Sequence, residues 1–174
     1  VFARDGLDAT VHRSWDPSRE WFLPVTVEVG AGIDVLAVWA MNHRGQEPRP
    51  KRGRSIAAME HYREYLGGGR GVVLGDFNSN VRFERPSYRG FTLLTEELGR
   101  QGYVNLYYER SREPPGQEAV ASLYMRYDRA NPYLVDHAFV PTGWLARVSR
   151  FDIGSPDPWL ELSDHMPLVL DLAD

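Results

Sequence analysis

The chain has 174 residues, 43% of them hydrophobic and 25% charged, which is the balance of a globular domain and not of a disordered or fibrous one. It contains no cysteine, so disulfides and thiolate metal sites are both excluded. A formal net charge of −4 argues against broad, sequence-independent binding to nucleic-acid backbones, and no run approaches the length of a membrane span.

Residues 1–14 open apolar and alternate from Leu7 to His12, which reads as a strand pair; His12 stands alone and reads as a surface residue. Ser14 to Glu20 is rich in turn formers. Phe22 to Val29 alternates, with Glu28 on its solvent side. Gly30-Ala31-Gly32 makes a tight connection, and Ile33 to Met41 returns as a near-continuous apolar strand, so the pair is expected to form a hairpin. That strand runs into Asn42-His43 and then a basic loop, Arg44, Arg49, Lys51, Arg52 and Arg54 against Glu47. Two readings of the loop stand: a rim that attracts a phosphate-bearing substrate, since guanidinium groups bind phosphate bidentately, or a solvated charge cluster. Ser55 is placed to cap a helix over Ile56 to Leu66, whose apolar positions 56, 59, 62 and 66 recur at helical spacing, and Gly67-Gly68-Gly69 stops it.

Next comes Val72-Val73-Leu74-Gly75-Asp76-Phe77-Asn78-Ser79-Asn80, a short buried strand that ends abruptly. Alternation puts Asp76 and Asn78 on one face and the Phe77 ring on the other. A carboxylate beside a carboxamide offers oxygen ligands for a hard cation and an amide donor for an oxyanion, although an ordinary Asx-turn would use the same residues. After a polar loop, Phe91 to Arg100 reads as a second helix with Leu93, Leu94 and Leu98 inward. Tyr103 to Tyr108 reads as an aromatic strand, and Glu109 to Glu118, with Pro114-Pro115-Gly116, as the most loop-like stretch. Leu123 to Tyr127 is a further short strand. Its tyrosines and Arg126, with Tyr107, Tyr108 and Arg110, have the composition of a base-stacking platform, but packing is the preferred reading. Tyr133 to Val140 is a strand with Asp136 in its middle, Leu145 to Ile153 another, and Ser163-Asp164-His165 precedes a last apolar strand whose start Pro167 marks.

Four segments thus carry a His, Asp or Asn near a strand end, in the order His43, Asp76-Phe77-Asn78, Asp136, Asp164-His165. In this the chain resembles the endonuclease/exonuclease/phosphatase superfamily, which includes DNase I-like nucleases, abasic-site endonucleases, inositol-polyphosphate phosphatases and sphingomyelinases. Gly75-Asp76-Phe77-Asn78 and Ser163-Asp164-His165 are its most specific signatures, and the resemblance runs from about residue 20 to the end. It implies an α/β fold: a two-sheet β-sandwich flanked by helices in four layers, as one domain over residues 1–174. In that family an Asn and a metal-binding Glu end two earlier strands. Nothing before His43 matches either, so the reading is of a domain lacking its N-terminal strands. Sheet edges and apolar faces would then be uncovered, and the chain is expected to be marginal or to pair as a homodimer by strand exchange. A soluble, cytoplasmic protein is expected, although an export signal could be lost with the opening strands.

The resemblance also implies metal-assisted phosphoester hydrolysis with Mg²⁺ or Mn²⁺. Asp164, Asp76 and Asn78 would border the cation, and His165 would act as general base or phosphate contact. Asp136 would fix the imidazole tautomer, while His43 would contact the phosphate or protonate the leaving group. Asn78 would donate to the phosphoryl oxygen, and Arg44 would line the substrate rim. His137, one residue past Asp136, faces away and reads as packing. With the Glu absent, weak metal affinity and low activity are expected. Three readings remain: a phosphodiesterase or nuclease acting on nucleic acid, a phosphomonoesterase acting on a small phosphorylated metabolite or lipid headgroup, and a non-catalytic binding module that keeps the fold.

Overall fold

The computed structural model describes residues 4–41, 53–67 and 69–173. The strands are β1 (Ala9–Val11), β2 (Phe22–Val27), β3 (Ile33–Trp39), β4 (Gly71–Asp76), β5 (Tyr103–Asn105), β6 (Leu123–Tyr124), β7 (Pro132–Tyr133), β8 (Asp136–Pro141), β9 (Val148–Ile153) and β10 (Leu168–Leu172). The helices are α1 (Arg54–His61), α2 (Arg63–Leu66), α3 (Gly90–Arg100), α4 (Leu106–Ser111) and the single turn α5 (Pro156–Trp159), with short 3₁₀ turns between.

Six strands form the central sheet in the order β1-β2-β3-β4-β8-β5, and β9 and β10 form a separate antiparallel pair. β2 and β3 are the expected hairpin, while β3 and β4 run parallel, joined by the crossover that contains α1 and α2. Alternation along each strand loads both faces of the sheet with apolar side chains. On one face Leu36, Val38, Val73, Phe77 and Phe139 meet Ile56, Met59, Leu66, Leu94 and Leu98 from the helices. Burying each large side chain contributes about 1.5–3 kcal/mol. Three tyrosine hydroxyls tie the helical layer to its surroundings: Tyr65 donates to the Val25 carbonyl (2.8 Å), Tyr103 to that of Leu66 (2.9 Å) and Tyr62 to that of Phe22 (3.4 Å). On the opposite face Val72, Leu106, Ala138 and Val140 pack with Val148, and Phe151, Leu168, Leu170 and Leu172 of the β9–β10 pair close over them.

The fold is therefore mixed α/β, a central sheet between helices and a second sheet, and among the described residues that second sheet consists of one hairpin. Several local expectations need correction. The aromatic run at 103–108 is not one strand: β5 stops at Asn105, whose side chain accepts from the Tyr107 amide (3.0 Å) and caps α4. Ser55 lies inside α1, with Gly53 at the cap position. The strand expected from Tyr133 breaks at Leu134, so Asp136 opens β8 and does not sit in its middle. The strand expected from Leu123 turns after Tyr124, and the one from Leu145 is a 3₁₀ turn until Val148. His12 is half-buried against the Tyr65 ring (4.8 Å between centroids), bonded to Ser14.

Candidate active site

β4 and β8 deliver the two carboxylates. Their register places Asp76 opposite Asp136 at the end of the central sheet. At Gly75 the parallel approach to β3 is so close that an added Cβ would lie 2.1 Å from the Val38 carbonyl oxygen, and φ is +134°. Only glycine meets both conditions. Phe77 then anchors the chain in the core at 2% exposure, and Asn78 takes a left-handed φ of +46° that asparagine tolerates. This bend folds Asn78 back on Asp76, its backbone N–H donating to Oδ1 and its amide Nδ2 to Oδ2, each at 2.7 Å.

His165 arrives from the loop before β10. Its Nδ1 lies 2.9 Å from Asp136 Oδ2, and its backbone N–H donates to Ser163 Oγ (3.0 Å). One ligand atom from each of Asp76, Asp136 and His165 falls within a common 4.8 Å. The electrostatics follow from this crowding. Burial, then the charge of Asp136, pushes the Asp76 carboxyl up to about 6, against the opposing pull of the Asn78 hydrogen bonds and His165. The hydrogen bond to Asp136 holds the His165 imidazole above its ordinary value in spite of its burial.

A supporting layer holds these groups. Ser122 is fully buried, and its Oγ accepts from the backbone N–H groups of Val135 (3.0 Å) and Asp136 (2.9 Å). Its own carbonyl accepts from the Met166 N–H (2.7 Å), and Tyr124 N–H donates to the Asp164 carbonyl (2.8 Å), so one short segment grips both halves of the His165–Asp136 pair. His137 is buried behind the site among Phe77, Phe91 and Phe139. Burial keeps it neutral by lowering its pKa. Asn105 Nδ2 lies 3.2 Å from its Nδ1, which must accept, so Nε2–H donates to the Ser79 carbonyl at 3.0 Å. Asn80, 1% exposed, donates to the Leu134 carbonyl (2.9 Å) and to Glu118 (3.2 Å), while its Oδ1 accepts from the Arg82 N–H. Glu118 in turn accepts from the Tyr108 hydroxyl (2.6 Å) and the Gly116 N–H (2.7 Å), which pins the Pro114-Pro115-Gly116 loop.

Of the residues expected from sequence, Asp76, Asn78, Asp136 and His165 converge. The half-buried Asp164 contributes to the raised basicity of His165 but lies outside the tight trio of ligand atoms. His43 and Arg44 lie outside the described residues. Ser122 and Asn80 escaped the sequence reading. Asn80 belongs to the motif and could have been suspected, but a lone serine between Ala121 and Leu123 gives no signal. The two carboxylates offer oxygen donors that suit a hard divalent cation that keeps several waters, and a cation there would offset the repulsion that raises Asp76.

The architecture is the endonuclease/exonuclease/phosphatase (DNase I-like) fold. The chain is similar over 98% of its length to the endonuclease domain of TRAS1, a telomere-specific non-LTR retrotransposon (TM-score 0.66, 16% identity, 69% of that chain covered). It is similar over 95% to an AP endonuclease from Archaeoglobus fulgidus (TM-score 0.63, 17% identity, 70% of that chain). Over 98% it is similar to the 3′ phosphatase NExo from Neisseria bound to product DNA hairpin (TM-score 0.64, 16% identity, 71% of that chain). No protein-family profile matches the chain, and no curated protein sequence does.

Proposed function

We propose that the chain is a divalent-metal-dependent phosphoester hydrolase domain that cleaves phosphodiesters, with nucleic-acid esters as the leading class. The observation that carries this reading is the meeting of Asp76, Asn78, Asp136 and His165, from segments far apart in sequence, at one end of the central sheet. The naming of the similar structures as nucleases and a phosphatase supports the class.

His165, held by Asp136 and raised in basicity, contacts a phosphoryl oxygen as the imidazolium. Asp76 accepts the proton of the attacking water, and Asn78 fixes that carboxylate and borders the phosphoryl group. Mg²⁺ or Mn²⁺ would be held at Asp76 and Asp136, with Asn78 and Asp164 alongside. Such a cation supplies polarisation of the phosphoryl oxygens and offsets charge on the leaving oxygen. His43 and Arg44 remain proposed for the leaving group and the substrate rim. With so few carboxylates, affinity for the cation is weak and turnover low. Two copies pair through the outer edge of β10, which has no second strand partner among the described residues.

Incubating the chain with Mg²⁺ or Mn²⁺ and bis-p-nitrophenyl phosphate tests the reading. Slow, cation-dependent release of nitrophenol that falls by about 10²-fold or more in His165→Ala is expected. Absence of turnover with phosphodiesters and phosphomonoesters alike would leave a binding module, and turnover of monoesters alone would make it a phosphomonoesterase.

A further inference from the structure

The central sheet carries one row of side chains that the hydrolase reading does not use in full. β3, β4 and β8 are in register at Trp39, Asp76 and Asp136: Trp39 pairs with Asp76, and Asp76 with Asp136. Counting back two residues at a time, Val35, Leu74 and Ala138 pack on the β9–β10 side of the sheet. Alternation therefore puts Trp39, Asp76 and Asp136 on that same face, with adjacent strands about 4.8 Å apart. His165 reaches Asp136 on one flank of this row, and the indole of Trp39 lies on the other.

Trp39 is 56% exposed, although Val35 and Ala37 before it on the same face are half-buried. A large aromatic surface is thus left to water where the strand reaches the carboxylates. The ring is also braced. Trp21 meets it edge-on, with 5.3 Å between centroids and 81° between planes. Such a pair holds the exposed ring in a defined orientation before any ligand arrives.

We propose that Trp39, braced by Trp21, is an aromatic subsite that stacks a planar ring, a nucleobase, attached to the phosphoester whose phosphorus lies between Asp76 and His165. The subsite rests on the phosphoester reading and narrows it to nucleotide esters. An inositol or other non-aromatic headgroup has no face to offer the indole, whereas every base has one, so the subsite tolerates base sequence while requiring a base. The parallel β3–β4 pairing sets side by side the backbone positions from which the indole and the carboxylate project, so base and phosphate are recognised together.

Calorimetric titration in chelator tests the subsite without needing turnover. Adenosine monophosphate is expected to bind more tightly than ribose phosphate. Trp39→Ala is expected to lose about tenfold in affinity for the nucleotide and none for ribose phosphate, with Trp39→Phe retaining most of it. Equal nucleotide affinity in Trp39→Ala and the parent chain, or no nucleotide binding by the parent, overturns the subsite. A change in sedimentation coefficient in Trp39→Ala with nucleotide affinity unchanged also overturns it, because the face would then be a protein interface. If the hydrolase reading alone is wrong, turnover is absent while this binding pattern stands.

Discussion

Asp76 shows the conflict between site and stability at the scale of one residue. Its side chain is half-buried beside Asp136, and its acidity is weakened to about 6. The folded chain therefore favours protonated Asp76. That contribution to stability is fully present below the ordinary carboxylate value of 3.8 and is lost as pH rises through about 6. Replacing Asp76 with Asn removes the charge while keeping one acceptor for the Asn78 hydrogen bonds. In chelator, Asp76→Asn should melt above the parent at pH 7.5, by about 2–4 °C for each kcal/mol recovered, and with the parent at pH 4. A lower melting temperature at pH 7.5 would show that the hydrogen bonds to the carboxylate outweigh its burial.

At the scale of elements, the segment Ala121 to Tyr124 decides whether the His165–Asp136 pair forms. Two backbone N–H groups end on one buried hydroxyl, and the next residues bridge to the His165 loop. Ser122→Ala strands both donors, and a buried donor without a partner costs about 1–3 kcal/mol. Urea unfolding should show a loss of about 2–4 kcal/mol, with hydrolysis falling more steeply than nucleotide binding because the phosphate end of the site loosens. Unchanged stability would mean that water replaces the hydroxyl.

The same element explains what the sequence could and could not disclose. The strands ending at Asp76 and beginning after His165 were legible, because apolar runs terminate sharply at polar groups. The helical stripe at Ile56, Met59, Tyr62 and Leu66 was equally plain, and all four residues are buried. The run Tyr103 to Tyr108 misled because aromatics favour strands on average, while the local competition was settled by the Asn105 cap. Ser122 and the burial of Glu97 under Arg63, Arg100 and Gln101 depend on partners distant in sequence, which leave no local trace.

For the molecule as a whole, the uneven covering of the central sheet is the dominant fact. Helices close one face, while on the other the β9–β10 hairpin lies over β4, β5 and β8. Val11 of β1, 54% exposed, marks the part left open. Uncovered apolar faces and free strand edges favour association. Sedimentation velocity over a wide concentration range should show a reversible shift from monomer to dimer. A single monomeric species throughout would end the pairing through β10.

Gly75 carries a consequence beyond its own backbone. Because two parallel strands touch there with no room for a methyl group, the backbone positions that carry the indole and the acid, one residue further on each strand, are held at one close spacing. Adjustment to a ligand must come from the opposite wall, where the imidazole rides on a loop. Recognition by this protein would then resemble a caliper with one immovable jaw, and guests whose ring sits at the wrong reach from phosphorus would be turned away, not accommodated.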